Sequence, residues 1–193
     1  MDMTEKTLSR DTLFEGRLLK LQVDRVSLPD GAAAEREVVF HPGGVGIVAL
    51  TEEDEVLLVR QYRYPFAAVT REIPAGKKES GEDPLVGAKR ELAEETGFVA
   101  EHWRKLGALW PTPGFCTEAD DLYLATGLTD LRQHPESLPE GAQMPHPDDD
   151  EFIEVERLPL AQAVEQILRG EIPDAKTQVG LLMARLLREK EEV

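Results

Sequence analysis

Apolar and polar positions along residues 1–40 fall into short runs, and 7–10, 13–15, 18–28 and 35–40 read as strands. In the third run Leu19, Leu21, Val23 and Arg25 alternate with Lys20, Gln22 and Asp24, the period-2 pattern of a half-buried strand with the leucines inward. Pro29-Asp30-Gly31 separates two such runs and predicts a hairpin turn. So small an antiparallel segment needs the rest of the chain, or a second chain, to cover its apolar side. His41-Pro42-Gly43-Gly44 then breaks the pattern, which places a boundary between a segment 1–40 and a main domain 41–193.

Past that break, 45–50 and 56–62 are β-branched apolar runs either side of an acidic turn, as in buried strands. A short strand at 71–73 leads through Pro74 into a loop carrying Gly76. A helix follows with clear punctuation: Asp83 suits the N-cap, Pro84 the first helical position and Gly97 the left-handed residue past the end. Leu85, Ala88 and Leu92 make its core-facing stripe. Further strands are expected at 103–110 and 121–126, joined by PTPGFCTEA. From about 128 to 150 there are four prolines and no periodicity, a length of loop that is uncommon without a function. It ends in Asp148-Asp149-Asp150-Glu151, before the strand-like FIEVER and two helices at 160–169 and 174–190. Strands interleaved with helices predict an α/β sandwich, with no internal repeat.

The helix from Pro84 has one costly feature. Glu91, Glu94 and Glu95 lie at i, i+3 and i+4, on one face beside the apolar stripe. Like charges at those spacings oppose helix formation. Hard divalent cations, by contrast, need several carboxylate oxygens converging on one point, and the pattern points to a magnesium-type site. A solvated acidic helix is the competing reading.

Composition narrows the function. The chain has 193 residues, 41% hydrophobic and 31% charged, as in a soluble globular protein with one well-cored domain. A net charge of -16 argues against a nucleic-acid partner, since phosphate backbones call for clustered Lys and Arg. It leaves a small anionic substrate open, because bound metal reverses the local field. Cys116 is the single cysteine, so no intrachain disulfide can form and a reducing compartment is expected. The start MDMTEKTLSRD has no apolar core of a signal peptide, and the longest apolar run, 45–50, is too short to cross a bilayer. A cytoplasmic location without membrane contact is expected. His41, His102, His134 and His146 are scattered, against a zinc or histidine-base site. Cys116 reads as a small loop residue, and Trp103 and Trp110 as core, with a place at a base-stacking wall open for Trp110.

Gly76, Glu82 after five residues, and then after seven more Arg90-Glu91-Leu92-Ala93-Glu94-Glu95-Thr96-Gly97-Phe98 match the Nudix box at every fixed position. The chain resembles the Nudix hydrolase family, and the order of elements fits that fold over most of residues 41–190. The resemblance implies a Nudix-type α/β/α sandwich with a mixed sheet, to which the N-terminal antiparallel strands are added. It implies hydrolysis of a nucleoside diphosphate linked to another moiety, with Mg²⁺, or Mn²⁺, as cofactor. Glu91, Glu94 and Glu95 match the family's metal ligands, with the carbonyl of Ala75 as a further one. Arg90 is expected to orient these carboxylates, and Glu82 to act as an outer ligand or to order the loop.

The flanks are similar to the ADP-ribose pyrophosphatase subgroup: Gln61-Tyr62-Arg63-Tyr64-Pro65, Arg71-Glu72-Ile73-Pro74-Ala75-Gly76, Pro113 sixteen residues after Gly97, GEIPDAKT, and the N-terminal strands. This implies cleavage of ADP-ribose to AMP and ribose 5-phosphate by a homodimer intertwined through those strands. Other nucleoside diphosphate derivatives remain as substrates: a sugar nucleotide such as GDP-mannose, a dinucleoside polyphosphate or an oxidised nucleotide. A non-catalytic ADP-ribose-sensing module is disfavoured by the intact box. By the same carry-over Arg63 pairs with substrate phosphates, or else closes a strand in a surface ion pair. Glu72 is assigned to adenine or ribose and Glu118 to the distal ribose. Arg25 and Arg36 either reach a partner's cleft or belong to a solvated strand face. In the acidic loop Asp149 matches the general-base position and Glu151 is the better-placed metal ligand, against a merely solvated loop.

Overall fold

The structure is a computed structural model that describes residues 2–138, 144–147 and 152–191. The chain divides into two units, one of Met1–Gly43 with Trp110–Ala119 and the other of Gly44–Leu109 with Asp120–Val193.

In the first unit β1 (Lys6–Glu15), β2 (Lys20–Ser27) and β3 (Ala33–Phe40) form an antiparallel sheet in that order. The turn between β2 and β3 is closed by Gly31 N–H to the Leu28 carbonyl at 2.9 Å, with Gly31 at φ 88°. The loop 110–119 belongs here because it continues β3: Val39 N–H donates to the Phe115 carbonyl and Thr117 N–H to the Val39 carbonyl. Three expectations change. The runs 7–10 and 13–15 are one strand, β1, exposed along its whole length. On β2 the buried face is Gln22, Asp24 and Val26, not the leucine face, and Arg25 points to solvent. Gln22 Nε2 donates across the pair to Thr12 Oγ1 and Arg10 Nε to Asp24 Oδ2, while Asp24 Oδ1 is buried with no hydrogen-bond partner among the described residues. Trp110 is 67% exposed and is not core.

The second unit holds two sheets. One orders β10 (Glu154–Pro159), β5 (Glu55–Arg63) and β6 (Ala68–Glu72), all antiparallel. The other orders β7 (Ala75–Lys77), β4 (Gly44–Ala49), β9 (Asp120–Asp130) and β8 (Phe98–Leu109), with β4 parallel to β9 and the remaining pairs antiparallel. The stretch expected as a glycine loop is thus partly strand: Ala75–Lys77 lies along β4, with Val45 opposite Gly76.

Strand alternation explains the layers. On β4 Val45, Ile47 and Ala49 join Leu57, Ala88, Leu92, Tyr123 and Ala125 in one core. Val48, with Leu50 just beyond the strand, joins Leu58, Leu122, Leu160, Ala163, Leu181 and Ala184 in another. The first core is covered by α1 (Pro84–Thr96), and the second by α2 (Leu160–Leu168) and α3 (Ala175–Glu191). Side chains of period 2 on nearly dry strands thus feed both faces, which gives an α/β/α sandwich with a mixed sheet.

The punctuation of α1 follows its sequence. Asp83 Oδ1 accepts the N–H groups of Leu85 and Val86, Pro84 needs no acceptor, and Gly97 closes the helix at φ 75° with its N–H on the Ala93 carbonyl. Asp83→Ala should lower unfolding stability by about 1 kcal/mol, seen as a lower denaturant midpoint at unchanged slope. An unshifted midpoint would show that the cap does not hold α1 in place.

Candidate active site

The acidic face of α1 is organised by one cation. Arg90 donates from Nε and Nη2 to Glu82 at 3.1 and 3.2 Å, and from Nη1 to Glu91 at 2.8 Å and Glu94 at 2.9 Å. Nη2 also reaches the Lys77 carbonyl at 3.2 Å, tying the helix to β7. The hydrogen bonds to Glu82, with Glu91 and Glu94 beside them, raise the Arg90 pKa far above its ordinary range. The same contact lowers the pKa of Glu82, which also accepts Glu79 N–H and so orders the loop before the helix. The like-charge cost on this face is therefore offset by a guanidinium inserted among its carboxylates.

Glu95 sits deeper than its neighbours and is buried, and its Oε2 accepts Ala75 N–H at 2.8 Å. Glu91 lies against the box glycine so closely that a methyl group on Gly76 would fall 2.0 Å from the Glu91 carboxyl carbon. Any side chain at this position would have to push the Glu91 carboxylate aside. Among the described residues, no three His, Cys, Asp or Glu side chains stand close enough to enclose an ion by themselves. The donor set still fits a hard divalent cation: carboxylate oxygens from successive turns, with the backbone of Ala75–Gly76 beside them and no competing nitrogen or sulfur ligand.

A second charged cluster joins β5, β6 and the start of α3. Arg63 binds Glu72 in bidentate fashion, Nε to Oε1 and Nη2 to Oε2, both at 2.7 Å. Glu72 also accepts Thr70 Oγ1 at 2.7 Å and Lys176 Nζ at 2.7 Å. Lys176 in turn reaches Asp174 at 2.8 Å, and Asp174 caps α3 by accepting Thr177 N–H and Oγ1. Thr177 Oγ1 then accepts Ile73 N–H, pinning the strand that leads into the box. Burial opposes the charge of Glu72, but the hydrogen bonds and charges of Arg63 and Lys176 prevail and hold its pKa at about 2. The Arg63 pKa is raised, first by its hydrogen bonds to Glu72.

These contacts revise several sequence assignments. Arg63 is in an ion pair, and its partner is Glu72 itself. With both oxygens engaged and the side chain 2% exposed, Glu72 offers no free oxygen to adenine or ribose here. Arg36 is bound in bidentate fashion to Glu5 on the N-terminal sheet, while Arg25 is exposed and has no ionic partner among the described residues. Pro113 is exposed, and Glu118 lies 3.8 Å from His41 Nδ1 within the same unit. Asp149 and Glu151 lie outside the described residues. Lys176 and Asp174 were not singled out, although the helix-capping Asp in GEIPDAKT marked the place.

The family described as the NUDIX domain matches residues 40–178, and that of the nucleoside diphosphate sugar hydrolase N-terminal domain matches 5–39. The chain is 41% identical to a methanol dehydrogenase activator of Bacillus methanolicus, covering 94% of this chain and 93% of the relative. It is 38% identical to an ADP-ribose pyrophosphatase of Bacillus subtilis (95% and 94%) and 38% to one of Mycobacterium tuberculosis (92% and 81%). A crystal structure of an ADP compounds hydrolase, 22% identical, shares the fold with a TM-score of 0.79 over 99% of this chain and 98% of that one. The chain belongs to the Nudix hydrolase family. It is a pyrophosphohydrolase, of a family that generally uses a divalent metal.

Two measurements probe this geometry. Gly76→Ala should displace Glu91 and reduce turnover by at least about tenfold, with the far-ultraviolet spectrum unchanged; unchanged turnover would mean that the glycine contact is dispensable. Because the pKa of Glu72 is depressed from 4.5 to about 2, its pairing stabilises the fold fully above the upper value. That contribution is lost as pH falls through about 2, so in acid titrations between these values Glu72→Gln should flatten the stability profile; a parallel profile would rule the linkage out.

Proposed function

We propose that this protein hydrolyses the pyrophosphate of ADP-ribose to AMP and ribose 5-phosphate with Mg²⁺. The observation that carries the reading is the Arg63 guanidinium, partly exposed and anchored in bidentate fashion by buried Glu72, the last residue of the strand that leads into the box. A planar guanidinium so presented suits the oxygens of a diphosphate. Two relatives named ADP-ribose pyrophosphatase, each 38% identical over most of the chain, support the choice of nucleotide.

Glu91, Glu94, Glu95 and the Ala75 carbonyl would hold the metal. Bound there, Mg²⁺ supplies neutralisation of phosphate charge and a water of lowered pKa. The protein's own part is orientation. Arg90 holds Glu91 and Glu94 aimed from one side of α1, and Glu82 holds Arg90 in register. Ala75 N–H fixes the rotamer of Glu95, and Arg63 steadies the substrate's phosphates. Asp149 serves as general base and Glu151 as an added metal ligand.

The N-terminal segment 1–40 serves as the dimerisation element of a cytoplasmic homodimer. In support, Leu8, Leu13 and Phe14 leave apolar side chains exposed along β1, with no apolar layer of their own unit over them. Arg25 and Arg36 are read as reaching a partner protomer's cleft, Pro113 as a substrate-side residue and Glu118 as the contact to the distal ribose.

Measured kcat/KM over ADP-ribose, GDP-mannose, a dinucleoside polyphosphate and an oxidised nucleotide should be highest for ADP-ribose; a higher value for any other would replace the substrate. Glu95→Gln should lower kcat on the order of 10²–10³-fold with the fold intact, and near-normal turnover would refute the metal assignment. The 41% identity to a methanol dehydrogenase activator favours one second reading, stimulation of such a dehydrogenase. Addition of this protein to a purified methanol dehydrogenase checks it by the change in that enzyme's rate.

A further inference from the structure

The cluster around Glu72 contains two cations, Arg63 and Lys176, and two anions, Glu72 and Asp174, so its formal charge sums to zero. Its members differ in access. The Arg63 side chain is 38% exposed, against 18% for Lys176 and 2% for Glu72. The Arg63 bonds to Glu72 use Nε and Nη2, and Nη1 makes no hydrogen bond among the described residues. An anion arriving from solvent therefore meets Arg63 first.

Sharing or surrendering that guanidinium would strand a buried carboxylate if Glu72 had no other cation, at a cost of several kcal/mol. Lys176 removes this obstacle. Its Nζ lies 2.7 Å from Glu72 Oε2, and Asp174 at 2.8 Å holds the ammonium in that position from the cap of α3. Thr70 Oγ1 adds a neutral donor on the other oxygen.

We infer that Lys176 is a positioning residue, which by holding Glu72 leaves the Arg63 guanidinium to be shared with, or handed over to, a phosphate of the substrate. This rests on the reading of Arg63 as the phosphate partner. Without Lys176 the cluster carries a net negative charge, and Arg63 is captured by Glu72. Without both Lys176 and the charge of Glu72, the sum returns to zero and Arg63 is released.

The test compares full-length Lys176→Met, Lys176→Arg, Glu72→Gln, Glu72→Gln/Lys176→Met and Arg63→Met with the parent chain. ADP-ribose and saturating Mg²⁺ are used, and kcat, KM and Tm are read separately. Lys176→Met should raise KM about tenfold or more while kcat stays within about threefold. Lys176→Arg should keep KM near the parent value. Adding Glu72→Gln to Lys176→Met should bring KM back down, whereas a merely structural lysine predicts that the two losses accumulate. Should Lys176→Met fail to fold, the double variant, which buries no lone carboxylate at position 72, still decides: its KM should match that of Glu72→Gln alone. The inference is overturned if Arg63→Met raises KM but Lys176→Met does not, or if KM of the double variant exceeds that of Lys176→Met. If Arg63→Met leaves KM unchanged, the phosphate role of Arg63 fails and this inference with it, while hydrolysis by the box is untouched.

Discussion

A helix face that carries Glu91, Glu94 and Glu95 is held together by Arg90, and much of the site depends on that guanidinium. Its donors spread over Glu82, Glu91 and Glu94 and reach the Lys77 carbonyl, so one side chain connects the loop before the helix, two of its turns and the strand beneath it. Each of these bonds is charge-assisted, the strong kind, and all but the one to Lys77 end on a carboxylate. Arg90 thereby fixes the positions of Glu91 and Glu94 on the acidic face. The close approach of Glu91 to Gly76 then decides how near the backbone of β7 lies to that face.

The cluster at Glu72 solves the same problem away from the helix. A carboxylate buried between β6 and α3 would ordinarily shed its charge, and here Arg63 and Lys176 keep it. In both places a carboxylate that the sequence marks as chemical is oriented by a cation, and in both the cation is itself placed by a capped helix: Arg90 within α1 behind Asp83, Lys176 at the start of α3 behind Asp174. The difference is exposure. Arg90 is enclosed by acidic partners, whereas Arg63 keeps a face towards solvent.

The layers rest on strand β4. Its alternate residues feed two cores, so α1 is carried on one face and α2 and α3 on the other. The box comes to lie at the margin of one core, where Leu92 is fully buried and Glu94, two residues on, is partly exposed. In the reading proposed above, specificity comes from the Arg63 segment and the start of α3 rather than from the box.

Local signals were sufficient wherever the physics is local. The N-cap at Asp83, the left-handed Gly97, the shared face of three glutamates and the spacing from Gly76 to Phe98 all depend on residues within a few turns of one another, and each could be read directly. The two-faced burial of β4 and β5 was likewise implied by continuous apolar runs. Pairings over long separations could not be read. That Ala75–Lys77 would join β4 as a strand, that Gln22 and Asp24 would be buried against Thr12 and Arg10 of β1, and that Trp110 would face solvent all depend on what packs or bonds across. Most of all, Lys176 lies 104 residues beyond Glu72 and is unremarkable by itself. Only tertiary folding brings β5, β6 and α3 close enough for one buried carboxylate to take both cations, because its desolvation makes that pairing necessary.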